Sequence, residues 1–151
     1  MLVLIEYKKA ILDDDTIRQL IELSTKWVEE DCSYGMVSNK KENINEPCFI
    51  ALDEKKIVGY IFGHFYTKED KTSYIEIGSK CFEVDELYVL PSYRSKGIGK
   101  KLFKMLEEFV INDADYITLS TSTKDYKRTL KFYVEANDML YHSAYLIKKT
   151  K

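Results

Sequence analysis

The stretch FEVDELYVLPSYRSKGIGKKLFKML, residues 82–106, decides the fold of this chain. Its first eight residues include the aromatic and β-branched types that favour strands, and Pro91 cannot continue the hydrogen-bond ladder of a sheet. After the glycines, apolar residues recur at helical spacing with lysines between them. We therefore predict a strand, a short turn and an amphipathic helix over residues 96–112. The apolar positions of this helix are Ile98, Leu102, Phe103, Leu106 and Phe109.

The turn between strand and helix reads RSKGIG, residues 94–99. A glycine-containing turn that opens a helix leaves backbone N–H groups unpaired and directs the positive end of the helix dipole at one point. Such a turn binds phosphate groups. The Gly-Lys-Ser/Thr of a nucleotide-binding P-loop is absent, and so is the three-glycine dinucleotide fingerprint. Taken alone, the six residues also fit an ordinary turn with solvated lysines.

The whole block, EVDELYV at 83–89 followed by Pro91 and RSKGIG, resembles the acetyl-CoA signature of the GNAT superfamily of N-acetyltransferases. Strand, break, loop and helix follow in the family's order without a gap. The resemblance implies acetyl-CoA as co-substrate, with its diphosphate on the loop and its pantetheine arm along the strand after a bulge. The cofactor-binding residues that it implies are Leu87, Tyr88, Val89, Arg94, Ser95, Lys96, Gly97, Ile98, Gly99, Lys100 and Tyr126.

Three acidic residues stand in the predicted strand, where acids are uncommon. Glu83 and Asp85 alternate onto one face, whereas the direction of Glu86 cannot be read because a bulge is expected near it. Histone-type members of the family carry a glutamate base that matches Glu83, and diamine-acetylating members carry an acidic pair that matches Asp85 and Glu86. We expect a catalytic proton acceptor among the three. The alternative for each is an exposed salt-bridge partner.

The last predicted helix carries Phe132-Tyr133, in the register of a family pair whose tyrosine hydroxyl lies near the cofactor sulfur. Because a phenol with a pKa near 10 can protonate a departing thiolate, the resemblance implies Tyr133 as a catalytic acid. The alternative for Tyr133 is a purely structural role in the buried core, since the chain has twelve tyrosines.

Two positions depart from the family pattern. Tyr126 stands where many members have an asparagine that contacts the pantetheine. Thr121 replaces the glutamate of ribosomal-protein-acetylating members, which argues against that substrate class.

The composition is that of a globular protein of 151 residues, long enough for one domain with a sizeable core. A net charge of −2, from 25 acidic and 23 basic residues, gives no reason to expect a nucleic acid or a membrane as partner. Cys32, Cys48 and Cys81 form no zinc or disulfide motif, and only His64 and His142 could assist them, so we expect no metal. The short apolar start does not fit a signal peptide, and no run is long enough to span a membrane. Because the cysteines form no disulfide framework, a reducing compartment, the cytoplasm, is the expected location.

The remaining pattern predicts an α+β fold of three layers, α/β/α, as a single domain over residues 1–151. Its sheet is expected to be mixed and mostly antiparallel, with six to seven strands. The family resemblance implies that its parallel pair is split around the cofactor. Strands are expected at 2–7, 48–52, 57–66, 82–89 (with strand character already at 74–77), 116–121, 139–141 and 144–147. Helices are expected from the acidic cap at 13–15 to about residue 30, at 96–112 and at 125–136, the last with Asn137 as a left-handed cap.

The polar segment at 31–46 lacks periodicity, and the resemblance places it over the acceptor site. Tyr34, Met36 and Ile44 are then candidates for substrate contact, with a solvated loop as the alternative.

These features predict an acetyl-CoA-dependent N-acetyltransferase that acts by direct attack of a primary amine in a ternary complex, without a covalent enzyme intermediate. A small cationic amine is the expected acceptor, because Asp85 and Glu86 would flank the thioester. The alternative is a regulatory module of the same fold that binds acyl-CoA without catalysis. Closing strands in this family often meet a partner chain, which would make a homodimer.

Overall fold

The computed structural model describes residues 3–151, which form an α+β fold with a mixed sheet of five strands. The strands lie side by side in chain order; the first four are antiparallel, and the last two are parallel. The strands are β1 (Ile5–Lys9), β2 (Cys48–Asp53), β3 (Lys56–Thr67), β4 (Lys80–Val89) and β5 (Tyr116–Thr118). The helices are α1 (Asp14–Glu30), α2 (Ile98–Val110) and α3 (Tyr126–Leu130), which continues as a π-helical turn over Lys131–Ala136.

The helices cover both faces of the sheet, as the sequence predicted. Tyr88 stacks on Trp27 of α1 with ring centroids 5.1 Å apart. The next residue along β4, Val89, reaches the start of α2, because its Cγ2 and that of Ile98 both lie within 3.4 Å of a Cβ placed at Gly59. Neighbouring residues of a strand point to opposite faces, so α1 lies on one face and α2 on the other. We call these the α1 face and the α2 face.

The helix starts follow from local chemistry. Asp13 caps α1 by accepting a hydrogen bond of 2.8 Å from the Thr16 amide, and Asp14 and Asp15 lie at the positive end of the helix dipole. The apolar stripe of α2 is buried at Ile98, Leu102, Phe103 and Leu106, as its spacing predicted. The prediction was wrong for Phe109, which is 42% exposed, because Val110 takes the buried position at this end of the helix.

The predicted count of six to seven strands is wrong, since the described residues contain five. Residues 74–77 form turns, held by bonds such as Gly78 N–H to Lys68 O at 2.8 Å. The segments 139–141 and 144–147 are irregular, and Leu146 and Ile147 are exposed. Because β5 is only three residues long, it offers little edge for a further strand.

Smaller expectations also differ from the structure. β1 begins at Ile5, and position 2 of the expected strand lies outside the described residues. Asn137 is not left-handed, with φ −125°, because its side chain instead donates to the Phe132 carbonyl at 2.9 Å. Asp138 takes the left-handed conformation, with φ 54°. All three cysteines are unpaired, and Cys48 and Cys81 are buried. Within residues 3–151 no helix is both long and apolar enough to cross a membrane.

Candidate active site

Strand β4 has an edge that β5 leaves open. The two strands pair only over Cys81–Glu83 of β4, ending at the pair Glu83 and Thr118. Beyond that point β4 continues to Val89 with β3 on its other side. Peptide groups on the β5 side of residues 84–89 therefore have no strand beside them in the described part of the chain, and they can pair with an extended ligand.

A bulge in β4 lies where this open edge begins. Phe62 of β3 stands opposite Glu86 and Gly63 stands opposite Val84, so Asp85 is the extra residue. In a regular strand the side chains alternate between the two faces of the sheet. The extra residue of a bulge breaks this alternation, so that residues on either side of it can share a face. The family resemblance implied a bulge near Glu86, and the structure confirms it.

All three acidic residues of β4 reach the α1 face because of this bulge. Tyr60 and His64 lie four residues apart on β3 and so share that face with Tyr88. The Tyr60 hydroxyl donates to Glu86 Oε1 at 2.7 Å. The His64 imidazole contacts Asp85 through Nδ1 at 3.0 Å and Glu83 Oε2 through Nε2 at 3.8 Å. The direction of Glu86, which the sequence left open, is thus the same as that of the other two acids.

The loop at 31–46 covers these acids, as expected, but through residues that sequence reasoning missed. Asn39 donates from Nδ2 to Glu86 Oε1 at 2.8 Å, and Asn45 donates from Nδ2 to Asp85 Oδ2 at 3.2 Å. Asn39 is itself held by α1, since its backbone N–H donates to Ser24 Oγ at 2.9 Å. The loop therefore positions two of the three carboxylates.

The acidic group carries an uncompensated negative charge. Within residues 3–151, no lysine or arginine nitrogen lies within 4.0 Å of Glu83, Asp85 or Glu86. Burial raises the pKa of the Glu86 carboxyl, although the hydrogen bonds from Tyr60 and Asn39 oppose that rise. Such a surface attracts a positively charged ligand.

The phosphate-type loop lies at the other end of the open edge. Pro91–Tyr93 forms a 3₁₀ turn, Ser95 and Gly97 both have positive φ, and Gly97 immediately precedes α2. The first intrahelical bond runs from Lys101 N–H to Gly97 O at 3.0 Å, so the amides of the first turn have no intrahelical acceptor. A Cβ at Gly97 would meet nothing within 4 Å, so the space beside it is open. Backbone amides with this geometry suit a phosphate group.

The side chain of Arg94 does not extend freely from this loop. Its guanidinium holds Glu30 of α1 through two bonds of 2.8 and 2.9 Å, and its Nε donates to the Val89 carbonyl at 2.8 Å. The Tyr88 hydroxyl donates to the same glutamate. These contacts anchor the loop to β4 and to α1, which is a structural role that the sequence did not predict.

The other predicted cofactor-binding side chains have few partners. Ser95 Oγ accepts from Arg128 at 3.3 Å, Lys96 Nζ reaches the Ser92 carbonyl at 3.3 Å, and Tyr126 is 58% exposed at the start of α3. Gly99 packs near Phe132, whose Cζ lies 3.4 Å from a Cβ placed there. Their contacts with a cofactor remain predictions.

Tyr133 lies on the α2 face, opposite the acids. Its ring packs edge-on against Phe103 and Phe132, with centroids 6.1 and 5.0 Å away. Burial raises the pKa of its hydroxyl to about 12, so this phenol stays protonated at neutral pH. Among the described residues no side-chain hydrogen bond joins Tyr133 to the acids.

Two of the earlier candidates for substrate contact have other surroundings. Ile44 is buried in the core, and the Tyr34 ring lies under Lys124 Nζ at 5.3 Å. Met36 is half-buried.

The sequence did not reveal three residues of the site, because their roles depend on strand register and loop path: His64, Asn39 and Asn45. For His64 the one available signal was a histidine in a strand predicted to pair with the acidic strand.

The acidic group also has the composition of a metal site. His64, Glu83 and Asp85 each offer a ligand atom, and these atoms lie within 4.8 Å of one another. Exposed acidic groups often lie this close without an ion, and the expectation that the chain binds no metal stays a prediction.

Comparison with known proteins agrees with the geometry. A model of the Acetyltransferase (GNAT) family matches residues 14–137. Glucosamine-6-phosphate N-acetyltransferase from Arabidopsis thaliana has a similar structure, with a TM-score of 0.67, 16% identity, and coverage of 98% of this chain and 99% of that one. No curated protein is significantly similar in sequence.

Two further solved structures share the fold. An aminoglycoside acetyltransferase from an uncultured soil metagenomic sample has a TM-score of 0.63 and 22% identity, covering 95% of this chain and 97% of that one. A predicted acetyltransferase from Clostridium acetobutylicum, whose crystal structure contains acetyl-CoA, has a TM-score of 0.67 and 16% identity. The match covers 97% of this chain and 96% of that one.

Proposed function

Since the chain belongs to the GNAT acetyltransferase family, we propose that it transfers the acetyl group of acetyl-CoA to a primary amine, and that the acceptor is a small cationic amine. The observation that carries the acceptor class is the group Glu83, Asp85 and Glu86, which shares one face of β4 and has no lysine or arginine partner among residues 3–151. An ammonium ion is the ligand that such a group would hold best.

The names of two structural neighbours support an amine acceptor. One is an aminoglycoside acetyltransferase and the other is a glucosamine-6-phosphate N-acetyltransferase. We carry over from them only the chemical class, a small molecule with an amino group. We further propose a single-domain cytoplasmic enzyme, a homodimer by analogy with the family, that acts on this small molecule rather than on nucleic acid or at a membrane.

The loop before α2 is proposed to hold the diphosphate. The amides of Ile98, Gly99 and Lys100 would donate to phosphate oxygens, and Arg94 would keep the loop in place through Glu30 and Val89. The open edge of β4 at Leu87, Tyr88 and Val89 would pair with the pantetheine arm, and an unpaired N–H near the bulge would polarise the thioester carbonyl. When bound, acetyl-CoA supplies the activated acetyl group.

The remaining residues would hold the amine and move protons. Carboxylates on the α1 face would bind the ammonium beside the open edge, where it loses a proton and attacks directly in a ternary complex. Tyr133 would donate a proton to the departing thiolate from the α2 face, and its raised pKa keeps the hydroxyl protonated until that step. Attack from one face with protonation from the other requires no covalent enzyme intermediate.

A panel of acceptors tests this proposal. Purified protein with acetyl-CoA is offered diamines, aminoglycosides, amino-acid derivatives and peptides with free amines, and released thiol is followed with a chromogenic reagent. We expect turnover with at least one small cationic amine and less with an uncharged amine of similar size. Thermal stabilisation by CoA without thiol release from any acceptor would instead favour the regulatory module.

A further inference from the structure

We infer that His64 is the proton acceptor for the incoming ammonium, and that Asp85 is the positioning residue that orients its imidazole. This inference rests on the proposed function and adds a catalytic residue to it. The observation behind it is one histidine placed between two carboxylates, at the bulge where the open edge of β4 begins.

The hydrogen bonds of His64 define which nitrogen is available. An ionised carboxylate accepts hydrogen bonds and cannot donate them. Nδ1 lies 3.0 Å from Asp85, so the tautomer that makes this hydrogen bond in the neutral ring has its hydrogen on Nδ1 and its lone pair on Nε2. The Nε2 atom lies 3.8 Å from Glu83 Oε2, a separation too long for a hydrogen bond between them. His64 thus presents an unoccupied acceptor nitrogen beside a carboxylate.

An ammonium group fits this gap. Its nitrogen can lie about 2.8 Å from both Nε2 and the Glu83 oxygen, because those two atoms are 3.8 Å apart. The side chain of His64 is 44% exposed, so a solvent-borne amine can reach it. Glu83 would hold the positive charge while the imidazole takes one proton.

The other acids are less suited to that task. Asp85 already accepts from His64 and Asn45, and Glu86 already accepts from Tyr60 and Asn39. Imidazole is also the ordinary side chain whose basicity lies closest to neutral pH, which favours it as a general base.

The charged and titratable groups around His64 are few. From β4 it faces Glu83 and Asp85, with Glu86 beyond them, and on its own strand the nearest titratable group is Tyr66, with ring centroids 6.1 Å apart. The overlying loop contributes Asn45, which is uncharged. The described residues place no lysine or arginine within 4.0 Å of its two carboxylate neighbours.

The proposed step balances as follows. The ammonium gives one proton to His64 Nε2 and becomes a neutral amine, whose nitrogen forms a bond to the acetyl carbonyl carbon. The carbon–sulfur bond breaks, and the thiolate takes a proton from the Tyr133 hydroxyl, which regains one from the new amide nitrogen through water. His64 releases its proton to solvent, so each turnover yields one N-acetyl amine, one CoA thiol and one proton.

The test compares His64→Gln with His142→Gln. His142 is the only other histidine, is exposed and contacts Ser73 Oγ at 3.2 Å, so it is a matched control. With EDTA-treated protein and the best acceptor of the panel, His64→Gln should lose about 10²-fold or more in kcat, and the acid limb of the pH profile should disappear. CoA should still raise the melting temperature of both variants to the same extent.

Two further readouts separate catalysis from a structural role. Exogenous imidazole should restore part of the activity of His64→Ala, since it can replace the missing base in the space vacated. In ¹⁵N-histidine NMR of the free protein, the wild-type signals that are absent from the His64→Gln spectrum are those of His64. They should show the chemical shifts of the Nδ1–H tautomer, and they should shift when the amine is added.

The outcomes are distinguishable. Turnover by the wild type with an unchanged His64→Gln rate would overturn the role of His64 and leave the proposed function intact. A slow variant with an intact acid limb and no rescue by imidazole would also overturn it, as would loss of wild-type activity on EDTA treatment, which would make the cluster a metal site. No turnover by the wild type with any amine would overturn both proposals.

Discussion

The two halves of the candidate site are built in different ways. The proposed diphosphate site of the cofactor half is one continuous stretch, residues 94–100, whose backbone amides are proposed to bind the phosphates and whose Gly97 has a positive φ. The acceptor half draws side chains from three separate parts of the chain, the loop at 31–46, β3 and β4. Backbone binding depends on local conformation, whereas the acceptor half depends on strand register, on a bulge and on a loop path.

This difference suggests how the two halves can vary. A continuous loop that uses backbone amides tolerates many side chains and suits a constant ligand such as a diphosphate. Side chains from distant segments can change one at a time, which suits an acceptor that differs between members of a family. Variants in the two halves should therefore have separable effects.

Tyr133→Phe should have the largest effect on turnover. It removes the proton donor for the thiolate and leaves the ring packed on Phe103 and Phe132, so kcat should fall about 10²–10⁴-fold. Thiol release measures the rate, and the CoA-induced rise in melting temperature, which should be unchanged, measures binding.

Tyr145→Phe is the matched control, because Tyr145 is 89% exposed and the same atom is removed. It should keep wild-type kcat. Full activity in Tyr133→Phe would contradict the acid role, and loss of CoA binding in it would mean that the hydroxyl serves the cofactor half instead.

Gly63→Ala should have the largest effect on stability. A Cβ there would lie 1.9 Å from the Glu83 carbonyl oxygen and 2.8 Å from Phe82 Cε1, so β3 and β4 would have to separate beside the bulge. We expect a loss of about 3 kcal/mol, which corresponds to roughly 6–12 °C in melting temperature for a chain of this length. Calorimetry measures the shift.

Gly99→Ala serves as the comparison, since its Cβ would make an ordinary contact of 3.4 Å with Phe132. Its melting temperature should stay within about 3 °C of the wild type. Equal destabilisation by the two substitutions would show that the close approach of strands at Gly63 does not hold the acceptor half together.

The same contrast explains what the sequence could predict. The strand, turn and helix at 82–106 were predictable because local propensity and periodicity agree there, whereas the bulge near Glu86 was implied only by the family resemblance. The closing strands were not, because apolar residues such as Leu146 and Ile147 indicate a strand only if a neighbouring edge exists, and β5 provides three residues. Nor could the contact of His64 with Asp85 be predicted, since a change of one residue in register would move it to the other face.

Arg94 illustrates a different limit. Its place in the loop sequence suggested a cofactor contact, but Glu30, 64 residues earlier, binds its guanidinium. A motif predicts the backbone path of a loop better than it predicts the partner of a long charged side chain.

Glu86→Gln should change stability in a pH-dependent way. Burial raises the pKa of Glu86 in the folded chain, so the folded state binds its proton more tightly than the unfolded state does. The contribution of Glu86 to the free energy of unfolding is fully present below its pKa in the unfolded chain, about 4.3. This contribution is lost as the pH rises through its pKa in the folded chain. Because the ionised carboxylate is unfavourable at pH 7, the glutamine variant should melt higher there, and the difference should vanish below about pH 4.

Thermal melts of both proteins between pH 3.5 and pH 8, roughly the range in which carboxyl groups and imidazoles titrate, measure this difference. A variant that is less stable than the wild type at pH 7 would mean that the hydrogen bonds from Tyr60 and Asn39 to the ionised oxygen outweigh its burial.

The separation of the two halves is tested most directly by measuring both Michaelis constants in Glu83→Gln and Gly97→Ala. The Glu83 carboxylate accepts no side-chain hydrogen bond from the described residues, so it is free to hold the amine; its loss should raise KM for the amine about tenfold and leave KM for acetyl-CoA within about twofold. Alanine at Gly97, where φ is 81°, strains the loop by about 1–2 kcal/mol and should raise KM for acetyl-CoA about tenfold while sparing the amine. If each variant instead changed both constants equally, the acids of β4 and the loop before α2 would not be separate binding sites for amine and cofactor.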